Sequence, residues 1–207
     1  MILNKTSLEQ ALRTLIEFDP ELDKIFQQVG CPPLWERQPG FAGLLRIILE
    51  QQVSLASADA TFRRLMAGIP SLTPDHFLDL DDETLRAMGF SRQKSVYGRN
   101  LAQAVISGRL DLEGLVGMDD ESARGELMAL KGIGPWTADI YLLLVLRRPD
   151  IWPAGDLALA HAIRKAKKLE HLPDMVKMEE IASPWKPWRA AAARLLWHYY
   201  LSGFPSL

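Results

Sequence analysis

The chain has 207 residues, 48% of them hydrophobic, which suffices for one large domain or two small lobes with a packed core. No apolar run approaches the roughly 18 residues of a membrane span, and the first residues lack the pattern of a secretory signal, so we expect a cytoplasmic protein. The single cysteine, Cys31, excludes an intramolecular disulfide, a cysteine-built zinc site and a four-cysteine iron–sulfur cluster, and the net charge of −2 requires any DNA-binding positive face to be local.

The hydrophobic pattern is helical along nearly the whole chain, and no segment alternates as a strand does. Ser7 and Gln10 have the spacing of a capping box and predict the start of the first helix. Asp19 and Pro20 predict the start of a second helix, and the proline-rich residues 30–40 predict a connector. Further helices are predicted over residues 41–50, 54–66, 91–107, 136–146, 156–168 and 187–201, with short helices starting near 74 and 82 and another near 119. The sequence therefore predicts an all-α fold.

A phosphate-binding hairpin is indicated where two glycines, Gly132 and Gly134, lie between two helical runs. Glycine permits a tight turn with positive φ, and Pro135 suits the first position of the helix that follows. The start of that helix would present N–H groups and a positive dipole end to an anion. Asp156 lies beyond a segment long enough to bring it back toward the hairpin, but aspartate at a helix start is often only an N-cap.

Five segments carry a wider pattern: ILEQQVS at 48–54, GFSRQK at 89–94, GIGPWTA at 132–138, WPAGD at 152–156 and WKPWR at 185–189, with Trp197 beyond. In this combination and order the chain resembles, over roughly residues 19–203, the helix-hairpin-helix DNA glycosylase superfamily, and within it the 3-methyladenine DNA glycosylase II branch. The resemblance implies two helical lobes with the active-site cleft between them. Residues 1–39 and 149–207 would form one lobe, and residues 40–148 the other.

The resemblance implies a monofunctional glycosylase of base excision repair, which flips out an alkylated purine and hydrolyses its N-glycosidic bond. Asp156 would be the catalytic carboxylate, stabilising an oxocarbenium-like sugar and orienting or deprotonating a water. Asp139 and Asp150 are weaker candidates for that role. Gln52 would be the wedge that fills the gap left by the flipped nucleotide.

Two tryptophans, Trp136 and Trp197, are the candidates for the base pocket, because an indole face attracts a cationic alkylated purine. The remaining four tryptophans are assigned to core packing. Bifunctional members of the superfamily carry a lysine nucleophile at the position of Trp136, so its absence here predicts no lyase step.

The expected partner is double-stranded DNA that contains damaged bases. We expect the protein to bind it as a monomer and without membrane contact. If the source is bacterial, the protein would be found at the nucleoid. The predicted DNA contacts are Lys131, Gly132, Ile133, Gly134, Thr137, Ser54, Arg92 and Lys94. The basic residues within 164–168 fit either a DNA contact or a solvated helix face. We expect that the protein requires no cofactor and contains no iron–sulfur cluster. The resemblance implies a Na⁺ or K⁺ site formed by the backbone carbonyls of Met128, Leu130 and Gly132.

Two alternatives stay open. The chain could be a glycosylase for another lesion, such as hypoxanthine, uracil or ethenoadenine, since the sequence does not rank these bases. It could also be a non-catalytic helix-hairpin-helix module that binds the DNA backbone, in which case Asp156 is only a helix cap.

Overall fold

The computed structural model describes residues 2–204, and within that range the protein is all-α, which confirms the predicted fold class. The helices in chain order are α1 (Lys5–Phe18), α2 (Pro20–Val29), α3 (Gly40–Glu50), α4 (Leu55–Gly68), α5 (Pro74–Leu78), α6 (Asp82–Met88), α7 (Arg92–Ile106), α8 (Asp120–Met128), α9 (Pro135–Leu144), α10 (Leu157–Ala166), α11 (Met175–Ala182) and α12 (Arg189–Leu201). Short 3-10 helices cover Gly114–Gly117 and Ser183–Trp185. None of the helices in residues 2–204 has the length and apolar character needed to cross a membrane.

The chain divides into two compact units. The first combines the residues up to Glu36 with those from Leu142 onward, and the second is Arg37–Tyr141. The first unit therefore contains α1, α2, α10, α11 and α12, and the second contains α3 to α8 together with most of α9.

Most helix starts follow the capping residues seen in the sequence. Asp19, Thr73 and Asp81 cap α2, α5 and α6, each accepting a backbone N–H of the first turn. The predicted capping box of Ser7 with Gln10 is wrong, because Asn4 is the N-cap of α1 and Ser7 is its partner at the third helical position. Helix α11 was not predicted, since it buries only Met178 and Ala182 and has little apolar periodicity.

The first unit is built around α12, which packs against α10, α2 and α1. Its four consecutive alanines, 190–193, are all buried and let the neighbouring helices approach closely. The Arg194 side chain is also enclosed, and its guanidinium donates to the carbonyl oxygens of Leu143 and Trp35 at 2.9 and 3.3 Å. Burial lowers the pKa of Arg194 to about 10, so the side chain stays charged at neutral pH and ties the connector and the end of α9 to α12.

A buried polar network around Asp19 holds α2, α10 and Trp185 together. The Asp19 carboxylate accepts the Trp185 indole N–H at 2.8 Å, the Lys167 ammonium at 3.0 Å and the Leu22 N–H at 3.1 Å. Burial opposes ionisation of Asp19, but these donors outweigh it and lower the pKa of the carboxyl. Lys167 belongs to the predicted basic cluster, and its contact with Asp19 gives it a structural role.

The second unit packs α7 against α3 and α5. Phe77 lies between the rings of Phe41 and Phe90, with centroid distances of 5.8 and 5.7 Å. Gly98 on α7 leaves room for Phe77, since a Cβ there would lie 2.6 Å from the ring. This packing seats α7, which contributes to the site described below, against α3 and α5.

We expect Asp19→Ala to lower the free energy of unfolding at pH 7 by about 2–3 kcal/mol. The substitution removes the N-cap of α2 and leaves the buried Trp185 N–H without its acceptor. The folded-state pKa of Asp19 lies below its ordinary value of 3.8, so this stabilisation is fully present above that value and is lost as the pH falls through the folded pKa. Denaturant unfolding from pH 7 to about pH 2.5 should show the difference between the two proteins shrinking only below about pH 4.

The matched control is Asp23→Ala on α2, where the carboxylate accepts a hydrogen bond from the exposed Gln27 side chain. We expect a loss within about 0.5 kcal/mol at every pH. A wild-type to Asp19→Ala difference that stays constant down to the lowest pH would contradict the assignment.

Candidate functional site

The hairpin between α8 and α9 turns at Gly132, whose φ is +104°. A Cβ on Gly132 would collide with the Tyr97 ring of α7, so only glycine fits this position. The Ile133 N–H donates to the Leu130 carbonyl at 3.1 Å and closes the turn, and Gly134 begins α9 by accepting from Ala138 at 3.0 Å. The turn therefore packs against Tyr97 of α7, and α9 begins immediately after it in the chain.

Two of the predicted phosphate ligands have partners within the protein. The N–H of Ile133 is committed to the Leu130 carbonyl inside the turn. The Thr137 side chain is only 2% exposed, and its hydroxyl oxygen accepts the Gln51 side-chain amide at 2.8 Å. These two groups are engaged inside the protein, whereas Gly134 is exposed and Gly132 is half-buried, and phosphate binding at the hairpin stays a prediction.

Of the side chains predicted to contact phosphate, Arg92 and Lys131 lie at the surface, whereas Lys94 and Ser54 each bind the end of a helix. Arg92 and Lys131 are exposed and line one shallow depression together with Tyr97. Lys94 is half-buried, and its ammonium donates to the Leu49 carbonyl at the end of α3 at 2.5 Å, so it stabilises that helix end. Burial lowers the pKa of Lys94. Ser54 is exposed and caps α4 by accepting the Ser57 N–H at 3.2 Å.

The predicted wedge residue lies on the exposed turn between α3 and α4. Gln52 has φ of +55°, a conformation that costs a residue with a side chain about 1–3 kcal/mol and persists only where the surroundings enforce it. The apolar side chains of Val53 and Leu55 beside it are 43% and 57% exposed. The turn, residues 51–54, therefore presents the Gln52 amide and the Val53 side chain to solvent, with Leu55 following at the start of α4; we call residues 51–54 the wedge turn.

The wedge turn and the hairpin enclose a common cavity within the second unit. Its volume is about 510 Å³, and its wall includes Gln51, Gln52, Lys94, Gly132 and Gly134. The two turns are joined directly by Gln51, whose Nε2 donates to the Gly132 carbonyl at 2.9 Å and to Thr137 Oγ1 at 2.8 Å. Sequence reasoning missed Gln51, and its only signal was its position beside Gln52.

The predicted cation site involves carbonyls that are partly engaged. The Gly132 oxygen accepts from Gln51 and the Leu130 oxygen accepts from Ile133. A cation would bind the second lone pair of each of these oxygens, together with the Met128 carbonyl at the end of α8. A Na⁺ or K⁺ ion at this hairpin stays a prediction.

In the first unit, Asp156 is the N-cap of α10 and is 9% exposed. Its Oδ1 accepts two hydrogen bonds, from the Leu159 N–H at 2.9 Å and from the Trp197 indole N–H at 3.0 Å. The carboxylate is thereby fixed between the start of α10 and the face of α12. Trp197 is half-buried and turns its polar edge toward Asp156.

The two rival carboxylates are held by arginines. Asp139 is 7% exposed and pairs with Arg124, whose Nε donates to it at 2.7 Å. Asp150 accepts two bonds from Arg189, at 2.8 and 3.0 Å. Both pairs stabilise the fold, so Asp156 is the better candidate for catalysis.

Trp136 is the second residue of α9 and is half-buried in the second unit. Trp152 and Trp185 are enclosed and meet edge to face, with a centroid distance of 5.5 Å, as expected of core residues. Trp35 and Trp188 are half-buried in the first unit.

The family model of the HhH-GPD superfamily base excision DNA repair proteins matches residues 45–187, a range that includes the wedge turn, the hairpin and Asp156. The chain belongs to the HhH-GPD superfamily. DNA-3-methyladenine glycosylase 1 of Schizosaccharomyces pombe is 32% identical over 201 residues, covering 93% of this chain and 87% of the relative. Two Bacillus subtilis relatives with DNA-3-methyladenine glycosylase names are 28% and 33% identical over 85% and 82% of this chain. They are longer proteins, and the chain spans 64% and 58% of their lengths.

Solved structures give the same result for this HhH-GPD protein. The Schizosaccharomyces pombe 3-methyladenine DNA glycosylase Mag1 in complex with abasic DNA superimposes with a TM-score of 0.89 at 28% identity, covering 96% of this chain and all of that one. A DNA-3-methyladenine glycosidase from Bacillus halodurans gives a TM-score of 0.75 at 28% identity, covering 92% of this chain and 88% of that one.

The two hairpin glycines should respond differently to a methyl group. We expect Gly132→Ala to lower the free energy of unfolding by about 2–4 kcal/mol, because the turn needs a positive φ and the Cβ meets the Tyr97 ring. Gly134→Ala should cost less than about 1 kcal/mol, since nothing lies within 4 Å of its Cβ and its φ is not positive. Urea unfolding measures both, and equal losses in the two variants would contradict the tight seating of Gly132 on α7.

Proposed function

We propose that this protein is a monofunctional DNA glycosylase of base excision repair, which removes alkylated purines such as 3-methyladenine and 7-methylguanine from double-stranded DNA. The observation that carries the proposal is the Asp156 carboxylate, fixed by the Leu159 and Trp197 N–H groups within a chain of the HhH-GPD superfamily. The names of the relatives, which are 3-methyladenine glycosylases, support the choice of substrate.

The proposed reaction is hydrolysis at the sugar C1′ atom. A purine alkylated at N3 or N7 is cationic and leaves as a neutral base with the electron pair of the glycosidic bond, so it requires no strong general acid. Asp156 stabilises the positive charge that develops on the sugar and orients the water that adds to C1′. The water loses a proton to the carboxylate or to solvent, and the sugar becomes an abasic hemiacetal.

The other predicted residues act in recognition. Gln52 fills the space left by the flipped nucleotide, a role that its exposed position and its apolar neighbours support. The exposed peptide of the hairpin and the side chains of Arg92 and Lys131 grip the DNA backbone. Trp136 and Trp197 receive the base, with Trp197 also orienting the carboxylate through its indole N–H.

The chemistry requires neither a cofactor nor a lysine nucleophile. Trp136 occupies the position at which bifunctional members of the superfamily carry that lysine, which supports hydrolysis without a lyase step. The protein would act as a monomer on the cell's DNA, in the cytoplasm or at the nucleoid.

The central test is Asp156→Asn. The asparagine carbonyl can accept the same two N–H groups, so α10 stays capped, but no negative charge remains to stabilise the sugar. We expect the single-turnover rate of base release from alkylated duplex DNA to fall by about 10²–10⁴-fold. Binding to the same duplex, measured by fluorescence anisotropy, should be retained.

Asp174→Asn is the matched control, because Asp174 caps α11 in the same way and is exposed. It should release base at the wild-type rate. Wild-type release by Asp156→Asn would remove the carboxylate from the mechanism. A wild-type protein that binds DNA and releases no alkylated base would leave another lesion, or a non-catalytic DNA-binding module, as the function.

The second test concerns base selectivity at Trp136. We expect Trp136→Ala to lower the ratio of rates on cationic 7-methylguanine and neutral hypoxanthine by about 2- to 30-fold, the range of a cation–π contact. Single-turnover rates on the two duplexes measure this ratio, and Trp188→Ala, another half-buried tryptophan, should leave it unchanged. An equal loss on both bases would show that Trp136 does not recognise the charge.

A further inference from the structure

We propose that Gln51 is a positioning residue that couples phosphate capture at the hairpin to the placement of the Gln52 wedge. The inference rests on the proposed function, because it requires that both turns contact DNA. Gln51 has no role in the sequence prediction, and it does not itself need to touch the reacting nucleotide.

The side chain of Gln51 reaches the hairpin from the end of α3. The backbone of Gln51 leaves helical geometry, with φ of −61° and ψ of 127°, and this directs its amide to Gly132 and Thr137. One Nε2 group donates to both acceptors, at 2.9 and 2.8 Å, and the Thr137 acceptor is buried. A residue at 51 without a donor would leave a buried hydroxyl oxygen and a turn carbonyl without this partner.

Each end of this connection is rigid. On the hairpin side, Gly132 is seated against the Tyr97 ring, and Tyr97 is in turn bound through its hydroxyl by Gln93 at 2.6 Å. On the wedge side, the Lys94 ammonium binds the Leu49 carbonyl and fixes the last turn of α3. A displacement at either turn is therefore transmitted through Gln51 rather than absorbed by a flexible neighbour.

Gln52, whose backbone φ is strained, directly follows Gln51 in the chain. Gln52 adopts φ of +55°, which its own side chain does not favour, and Gln51 is the adjacent residue whose side chain is anchored to another element. The Gly132 carbonyl that Gln51 binds belongs to the same turn that presents peptide to the phosphate. A phosphate bound at the hairpin would thus hold Gly132, Gln51 and, through the chain, the wedge in one arrangement.

The test compares two duplexes that carry one 7-methylguanine, paired with cytosine in the first and opposite an abasic-site analogue in the second. Extruding a base costs less where it is unpaired, so the wedge is needed mainly on the first duplex. We expect Gln51→Ala and the isosteric Gln51→Glu to lower the single-turnover rate about tenfold or more on the paired duplex and less than about threefold on the unpaired one. Thr137→Val, which removes one of the two acceptors, should give an intermediate loss on the paired duplex.

Gln103→Ala, an exposed glutamine on α7, is the matched control and should leave both rates unchanged. Equal losses of rate on the two duplexes would mean that Gln51 acts only through the general stability of the protein. Wild-type rates of the Gln51 variants on both duplexes would mean that the wedge turn keeps its shape without Gln51. Either result overturns the inference. Failure of the wild-type protein to release base from either duplex would instead contradict the proposed function. 2-Aminopurine placed beside the lesion provides an independent readout, since its fluorescence should rise on wild-type binding and rise less with both Gln51 variants.

Discussion

The absence of a side chain at Gly132 is the constraint on which the arrangement of the hairpin and the wedge turn depends. The turn adopts a positive φ and lies against Tyr97, so the hairpin is fixed on α7 rather than extended from it. Because the turn is fixed there, its carbonyl is available to Gln51, and the end of α3 is connected to the start of α9. A methyl group at this one position would separate elements that are 81 positions apart in the chain.

The chain's net charge of −2 can be reconciled with DNA binding through this geometry. Phosphate recognition by backbone N–H groups and a helix N-terminus needs no excess of lysine and arginine. Many of the basic side chains have other partners: Lys94 binds a helix end, Lys167 binds Asp19, and Arg189 binds Asp150. The exposed Arg92 and Lys131 at the hairpin would then supply a local positive surface, and because the salt dependence of binding scales with the number of such contacts, DNA binding should weaken only modestly as salt rises.

Local signals in the sequence predicted the fold well, while the contacts at the site required the structure. Asp19, Thr73 and Asp81 cap helices through neighbours two or three residues away, which a sequence displays directly. Gln51 and Thr137, which are hydrogen-bonded to each other, lie 86 positions apart in the chain, and no local pattern reports such a contact. The bond from the Ile133 N–H to the Leu130 carbonyl spans only three residues, but it depends on the exact turn geometry, which the residue types alone do not specify.

Asp156 shows why the structural and catalytic interpretations of one residue need not compete. The sequence left a helix cap and a catalytic carboxylate as alternatives, and the structure shows the cap, with Oδ1 bound to the Leu159 N–H. The Trp197 indole binds the same oxygen, so the carboxylate is held by α10 and α12 at once. A group that must stabilise a short-lived positive charge works best when its orientation is fixed before the reaction begins, and capping provides that fixation. The bond that makes Asp156 a good cap is therefore the one that equips it for the proposed hydrolysis.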